Sequence, residues 1–158
     1  MSSPKVWGPA LWFILHSYSE RLGNHTNHIM STDQCRAWIN LLKSVEGTIP
    51  CARCRTHYKE WRTRYPIEQH SNFQGTLLRQ KAREWLWGLH DSVNKENGLI
   101  GPPIESLIEM YGKYDESALR RNIEVCSNDF KSAILHSLLI PEAYRVFMKC
   151  LTIMRTNL

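Results

Sequence analysis

Two cysteines separated by two residues, Cys51-Ala-Arg-Cys54, carry the most reactive chemistry available to this chain. That spacing sets the sulfurs about one helical turn apart, where a disulfide forms and reopens readily. Pro50 precedes the pair and suits a helix start, because the N–H it lacks would have no partner there. Cysteines in a first helical turn lie at the positive end of the helix dipole, which favours the thiolate and nucleophilic exchange. Arg53, Arg55 and Lys59 add positive charge to the same neighbourhood. The residues leave other readings open. Zinc needs two more ligands, and His25 with His28 would complete a four-ligand site with Cys51 and Cys54. A thioredoxin-like fold needs strands around the pair, whereas Trp38, Leu41, Leu42 and Val45 upstream follow helical spacing. Two unrelated free thiols are the bland alternative.

Two further pairs lie at helical i, i+4 spacing: Trp12 with His16, and His90 with Asn94. Trp85 and Trp87 fall on the second of these helices. Rings to stack on, imidazoles and an amide are what a flat heteroaromatic cofactor between helices requires. Arg79, Lys81, Arg83 and Lys95 are the nearby cations for its phosphates.

The elements that must position these groups read as helices throughout. The first runs from about Pro9 to Leu22 and ends at Gly23; Ser31-Thr-Asp33 caps a second that Gly47 closes. Pro50 opens a third, which Tyr65-Pro66 breaks, and 66–73 is a loop. The strongest pattern, Leu77, Leu78, Trp85, Leu86, Leu89, Val93, spans about Gln74 to Asn97 with Gly98 as its stop. Gly101-Pro-Pro103 marks a boundary. Beyond it come a segment 104–111 and helices at 116–126, 130–140 and 142–154. The expected fold is all-α: a bundle of four antiparallel helices, residues 1–103, followed by a helical C-terminal extension, residues 104–158. The extension's apolar faces (Phe130, Ile134, Leu138; Tyr144, Phe147, Leu151) must be covered by the bundle, each other or a second subunit.

Composition excludes several classes. With 158 residues, 42% hydrophobic and 22% charged, the chain suits one globular unit with a proper core. A net charge of +5 is spread along the chain and accompanies no nucleic-acid-binding motif, so no nucleic-acid partner is expected. No apolar run approaches the ~18 residues of a spanning helix, and no secretory pattern precedes Trp7. Five cysteines without a secretory signal point to a cytosolic start, where a dithiol is catalytic or metal-binding. Cys35 reads as a small buried thiol; Cys126 and Cys150 read by default as free buried thiols, with a mutual disulfide or a shuttle role as the alternatives.

Three blocks then stand in order: Trp7-Gly-Pro-Ala-Leu-Trp12-Phe-Ile-Leu-His16, Ile49-Pro-Cys51-Ala-Arg-Cys54, and Trp87-Gly-Leu-His90-Asp-Ser-Val-Asn94-Lys95. In order and spacing they resemble the flavin-linked sulfhydryl oxidases of the Erv/ALR type. The resemblance implies a four-helix FAD-binding bundle and electron flow from substrate thiols to the flavin and then to molecular oxygen, giving hydrogen peroxide. It makes Cys51 and Cys54 the redox pair, with Cys51 facing substrate and Cys54 facing the flavin. It implies Trp12 and His16 as flavin contacts on the first helix, His90 and Asn94 as adenosine-side contacts followed by Lys95, and Tyr111 as an aromatic packing on the adenine. Trp7, His57, Trp87, Asp91 and Val93 complete the cofactor-binding set, with no metal ligand among them.

This chain departs from that pattern at Asp91, where the family usually has Asn, and at Ile49, where an aromatic is common. It has no second Cys-x-x-Cys to serve as a shuttle, a layout closest to the short viral members. The expected partners are protein thiols or a thioredoxin-like relay, with a homodimer as the assembly and no membrane. The expected setting is the cytoplasm, or host cytoplasm or virion for a viral protein, ahead of the mitochondrial intermembrane space. The rival function is a zinc-stabilised helical interaction module built on Cys51, Cys54 and histidines.

Overall fold

Side-chain caps fix where the helices begin. In the computed structural model, which describes residues 2–158, Ser3 Oγ accepts from the Lys5 N–H and Pro4 opens α1, Pro4–Ser19. The helix therefore starts five residues before Pro9, because Ser3-Pro4 supplies a cap and a pre-set first φ. Pro9 stays inside the helix, exposed, where its missing N–H forgoes a single backbone bond. Asn27 Oδ1 accepts from the Ile29 and Met30 N–H groups and starts α2, His28–Thr48, ahead of the expected Ser31-Thr-Asp33 cap. Cys51 itself is the N-cap of α3, Ala52–Arg64, so Pro50 lies just before the helix instead of in its first turn. Residues Ile67–Asn72, expected as loop, form a 3₁₀ turn, and α4 runs Gly75–Glu96 as its periodicity predicts.

Beyond a short α5, Ser106–Tyr111, the expected helices at 116–126 and 130–140 are one, α6, Glu116–Leu135. Leu119, Cys126, Phe130 and Ala133 keep helical spacing across the supposed break, which contains no Gly or Pro to enforce it. α6 stops because Ser137 adopts φ 59°, a left-handed conformation that breaks the helical path. Pro141 then begins α7, Pro141–Thr156.

α6 packs along α1 and α7 along α2, so the C-terminal helices share the bundle's own core. Trp7 of α1 meets Phe130 at 6.0 Å between ring centres, and Phe130 meets Phe147 of α7 at 5.7 Å. Both phenylalanines are fully buried, each stabilising the fold by about 1.5–3 kcal/mol relative to exposure. The anticipated faces are covered by the bundle with one change: Leu138 falls past the end of α6 and is exposed, and Leu139 is buried instead. Arg83 of α4 makes a two-pronged ion pair with Glu20 at the end of α1 (2.7 and 2.8 Å), closing that end of the bundle with a nearly buried carboxylate. Cys35 and Cys126 are buried free thiols as expected, while Cys150, also free, is only half-buried. Among the described residues no helix is long and apolar enough to cross a membrane.

Candidate active site

The cysteine pair sits where the local sequence forces a helix to begin. Cys51 has an extended backbone (φ −152°, ψ 112°) and its Sγ accepts the Cys54 N–H at 3.2 Å, the capping bond that Ser or Asp would make elsewhere. Cys51 and Cys54 are bonded to each other, with Cα atoms 5.2 Å apart, and both are half-buried. Arg55 donates to the Ile49 carbonyl at 2.6 Å, tying α3 back to the chain that leads into it.

His57, one turn beyond Cys54, pins this end of α3 to α4. Its Nδ1 donates to the Glu96 carboxylate at 2.5 Å, and the Ser92 hydroxyl lies 2.8 Å from its Nε2. Arg53 reaches the same carboxylate at 2.7 and 3.0 Å. Hydrogen bonds from Arg53 and His57 hold the Glu96 carboxyl below the usual carboxylate range, Arg53 contributing most. The disulfide is thereby fastened to the stretch of α4 that also carries His90 and Asn94.

Trp12, His16, His90 and Tyr111 come together as one stack of rings. Trp12 and His90 lie parallel at 4.0 Å with 7° between planes, and His16 stacks on Tyr111 at 5.0 Å. His16 Nε2 and His90 Nδ1 are 3.2 Å apart, one donating to the other. Burial lowers His16 to about 3, helped by the nearby His90; burial likewise lowers His90 to about 4, against the opposing charge of Asp91. Both rings are neutral near pH 7 and keep a lone pair as well as an N–H. Phe13 meets Tyr111 edge-on at 5.8 Å and backs this stack; its place next to Trp12 in the first block is its only sign in the sequence.

A cleft opens beside the stack, lined by Trp87, His90, Asp91, Asn94, Gly101, Pro102 and Leu107. Trp87 Nε1 donates to the Pro102 carbonyl at 3.0 Å, which folds the chain after α4 back over the helix. Gly101 permits that closeness: a Cβ there would lie 2.5 Å from Asn94 Nδ2. Asp91 receives Lys95 Nζ at 2.8 Å, an i, i+4 pair that holds both beside the cleft.

Other predicted groups lie elsewhere. Trp7 is buried against Phe130 at the α1–α6 contact, and Val93 packs half-buried on the core. Of the cations assigned to phosphates, Arg83 is committed to Glu20 and Arg79 donates to the Leu22 carbonyl, both at the far end of α1. His25 contacts the Asn157 carbonyl, not the cysteines, and no group of three or more His, Cys, Asp or Glu side chains among the described residues is placed to hold a metal. Glu96, which with Ser92 orients α3 on α4, lies just outside the third block, and Ser92 lies inside it without a chemical signature of its own.

Residues 9–103 match the Erv1/Alr family, more than half of the chain. The chain belongs to the Erv1/Alr family. It is 25% identical over 127 residues to the FAD-linked sulfhydryl oxidase of African swine fever virus (isolate Warthog/Namibia/Wart80/1980), covering 80% of this chain and 94% of the relative. It is 31% identical over 55 residues to the putative FAD-linked sulfhydryl oxidase 088R of Frog virus 3 (isolate Goorha), covering 35% of this chain and 36% of the relative. No solved structure matches significantly. The family match ends at Pro103, so α6 and α7 lie outside it although they share the core. The donor set suits a flavin dinucleotide: aromatic rings at Trp12 and Tyr111, two neutral imidazoles with donor and acceptor nitrogens, and the Asn94 amide beside the same cleft.

Proposed function

We propose that this protein is an FAD-linked thiol oxidase that makes disulfides in substrate proteins, passing their electrons through Cys51 and Cys54. The observation that carries this reading is the bonded Cys51–Cys54 pair at the start of α3, fastened through His57 to the α4 segment bearing His90 and Asn94. The sulfhydryl oxidase name of the viral relatives supports it. Trp12, His16, His90, Asn94 and Tyr111 are the residues that would hold FAD. When bound, FAD supplies the acceptor for the dithiol's two electrons and their onward transfer to dioxygen, with hydrogen peroxide as product.

The chain's own part is thiol–disulfide exchange. A substrate thiolate attacks Cys51 Sγ, the S–S bond to Cys54 breaks, and Cys54 leaves as thiolate. The substrate's second thiolate attacks its own sulfur in the mixed disulfide and releases Cys51. The substrate has then lost two electrons and two protons, which the chain holds as the Cys51/Cys54 dithiol. The Cys54 N–H aimed at Cys51 Sγ, with the α3 dipole behind it, stabilises the charge on Cys51 at that release. Substrates are protein dithiols, met directly or through a thioredoxin-like relay. The working unit is a homodimer, and its setting is the cytoplasm, or host cytoplasm or virion for a viral protein.

Purified protein should be yellow, absorbing near ~450 nm as a bound isoalloxazine does. Dithiothreitol should bleach it without oxygen, and air should restore the colour with peroxide formed. A colourless protein that holds zinc and consumes no oxygen would sink the proposal.

A further inference from the structure

The disulfide has an apolar neighbour that the exchange chemistry does not use. Arg55 Nη1, besides bonding Ile49, lies 3.4 Å from the Leu138 carbonyl in the α6–α7 turn. The start of α7, which follows this turn, is held to the end of α2 just upstream of Cys51: Thr48 Oγ1 is 3.4 Å from the Ala143 carbonyl, and a Cβ on Gly47 would sit 3.6 Å from the Ala143 Cβ. From this anchored turn Leu135 (83% exposed), Leu138 (42%) and Ile140 (70%) face solvent. Three large apolar side chains exposed within six residues are more than the single exposed residues usual on a soluble chain. A second exposed pair, Leu99 (59%) and Ile100 (102%), follows α4 just after Glu96, the carboxylate that Arg53 grips.

Charge narrows the occupant. Arg55 and Lys59 lie one turn apart on α3 and neither pairs with a carboxylate among the described residues. An apolar rim with unmatched cations beside an exchangeable disulfide suits a cysteine-bearing segment with apolar and acidic side chains around its thiols.

We propose that the α6–α7 turn is the docking surface for such a segment of the substrate protein, with Leu135, Leu138 and Ile140 as its contacts and Arg55 and Lys59 as its charge partners. The proposal rests on the thiol-oxidase reading. It gives the C-terminal helices, outside the family match, a role in substrate choice.

The test uses the full chain and a fluorescein-labelled peptide with a Cys-x-x-Cys flanked by Leu, Ile and Glu. A control peptide has Ser and Lys flanks. In the variant Leu135→Ser/Leu138→Ser/Ile140→Ser, kcat/KM for the apolar peptide relative to that for dithiothreitol should fall about tenfold or more. The ratio for the control peptide should hold. Lys59→Glu should lower the ratio for the apolar-acidic peptide alone. Equal ratios in variant and parent would overturn the proposal, as would a dimer that becomes monomer in the triple variant, which would mark the patch as a subunit interface. Binding of the peptide with both cysteines changed to Ser, read by fluorescence anisotropy, does not depend on turnover. If wild-type protein binds that peptide and the triple variant does not, docking stands even where oxidase activity fails. If neither distinguishes apolar from control flanks, docking is wrong whatever the oxidase result.

Discussion

His16 and His90 meet nitrogen to nitrogen at 3.2 Å, from helices that are far apart in the chain. A single hydrogen bond of this kind requires one ring to present a lone pair, and neutrality of both rings is maintained by burial. The pair therefore does two things at once. It locks α1 to α4, and it presents uncharged heteroaromatic faces beside Trp12 and Tyr111.

Acid should weaken the flavin-free fold through these rings. Folded His16, at about 3, and His90, at about 4, lie below the ordinary histidine value, so the unfolded chain binds more protons between roughly pH 4 and 6.5. Their contribution is complete above about pH 6.5 and is lost as pH falls toward 4. His70, lowered to about 4 by burial and bonded to Trp38 Nε1, adds in the same direction. Urea midpoints at pH 7.5, 6, 5 and 4.5 should fall steadily, and a flat series would contradict neutral buried rings.

Flavin retention should depend on His90. Changing it to Ala removes the ring stacked on Trp12 and leaves His16 without its partner, a cost of about 1–3 kcal/mol, or roughly five- to 150-fold in affinity. The flavin-to-protein ratio after gel filtration should drop while far-UV circular dichroism keeps its helical form. Unaltered occupancy would reduce His90 to a packing residue.

Cys51→Ser and Cys54→Ser should each abolish dithiol oxidation while leaving the flavin bound. On the proposed reading the bonded pair would relay electrons, while the rings and the Asn94 cleft would hold the cofactor. Oxygen consumption with dithiothreitol reads the first effect and absorbance near ~450 nm the second. Full turnover by either variant refutes the assignment.

Truncation after Pro103 would strip cover from the bundle, because α6 covers Trp7 and α1 while α7 covers α2. The shortened chain should aggregate or melt well below the full one. Phe130→Ala in the full chain, which opens a cavity at the α1–α6–α7 junction, should cost about 3–5 kcal/mol in urea unfolding with little change in flavin absorbance. A 1–103 fragment with the parent's midpoint would show that the extension is merely appended.

By itself the sequence determined the helical class, the bonded cysteine pair and the two blocks that meet around the rings. Those signals are local. Helical periodicity, a Cys-x-x-Cys beside a helix start, and i, i+4 pairs each depend on residues within a turn or two of one another. Helix ends were less legible, since Ser3, Asn27 and Cys51 compete with other plausible caps and only the folded backbone chooses among them.

Tertiary structure alone decided which cations serve which carboxylates and where the C-terminal helices go. Arg83 looked free for a phosphate until the end of α1 brought Glu20 to it. Glu96, silent in the sequence, became the anchor of α3 once Arg53 and His57 converged on it. Phe130 and Phe147 announced apolar faces without naming what would cover them. The choice between bundle and partner depends on contacts between residues more than a hundred positions apart, such as Trp7 with Phe130. Burial energy has no direction, so a periodic apolar face states that something must cover it and leaves the rest of the chain to decide what.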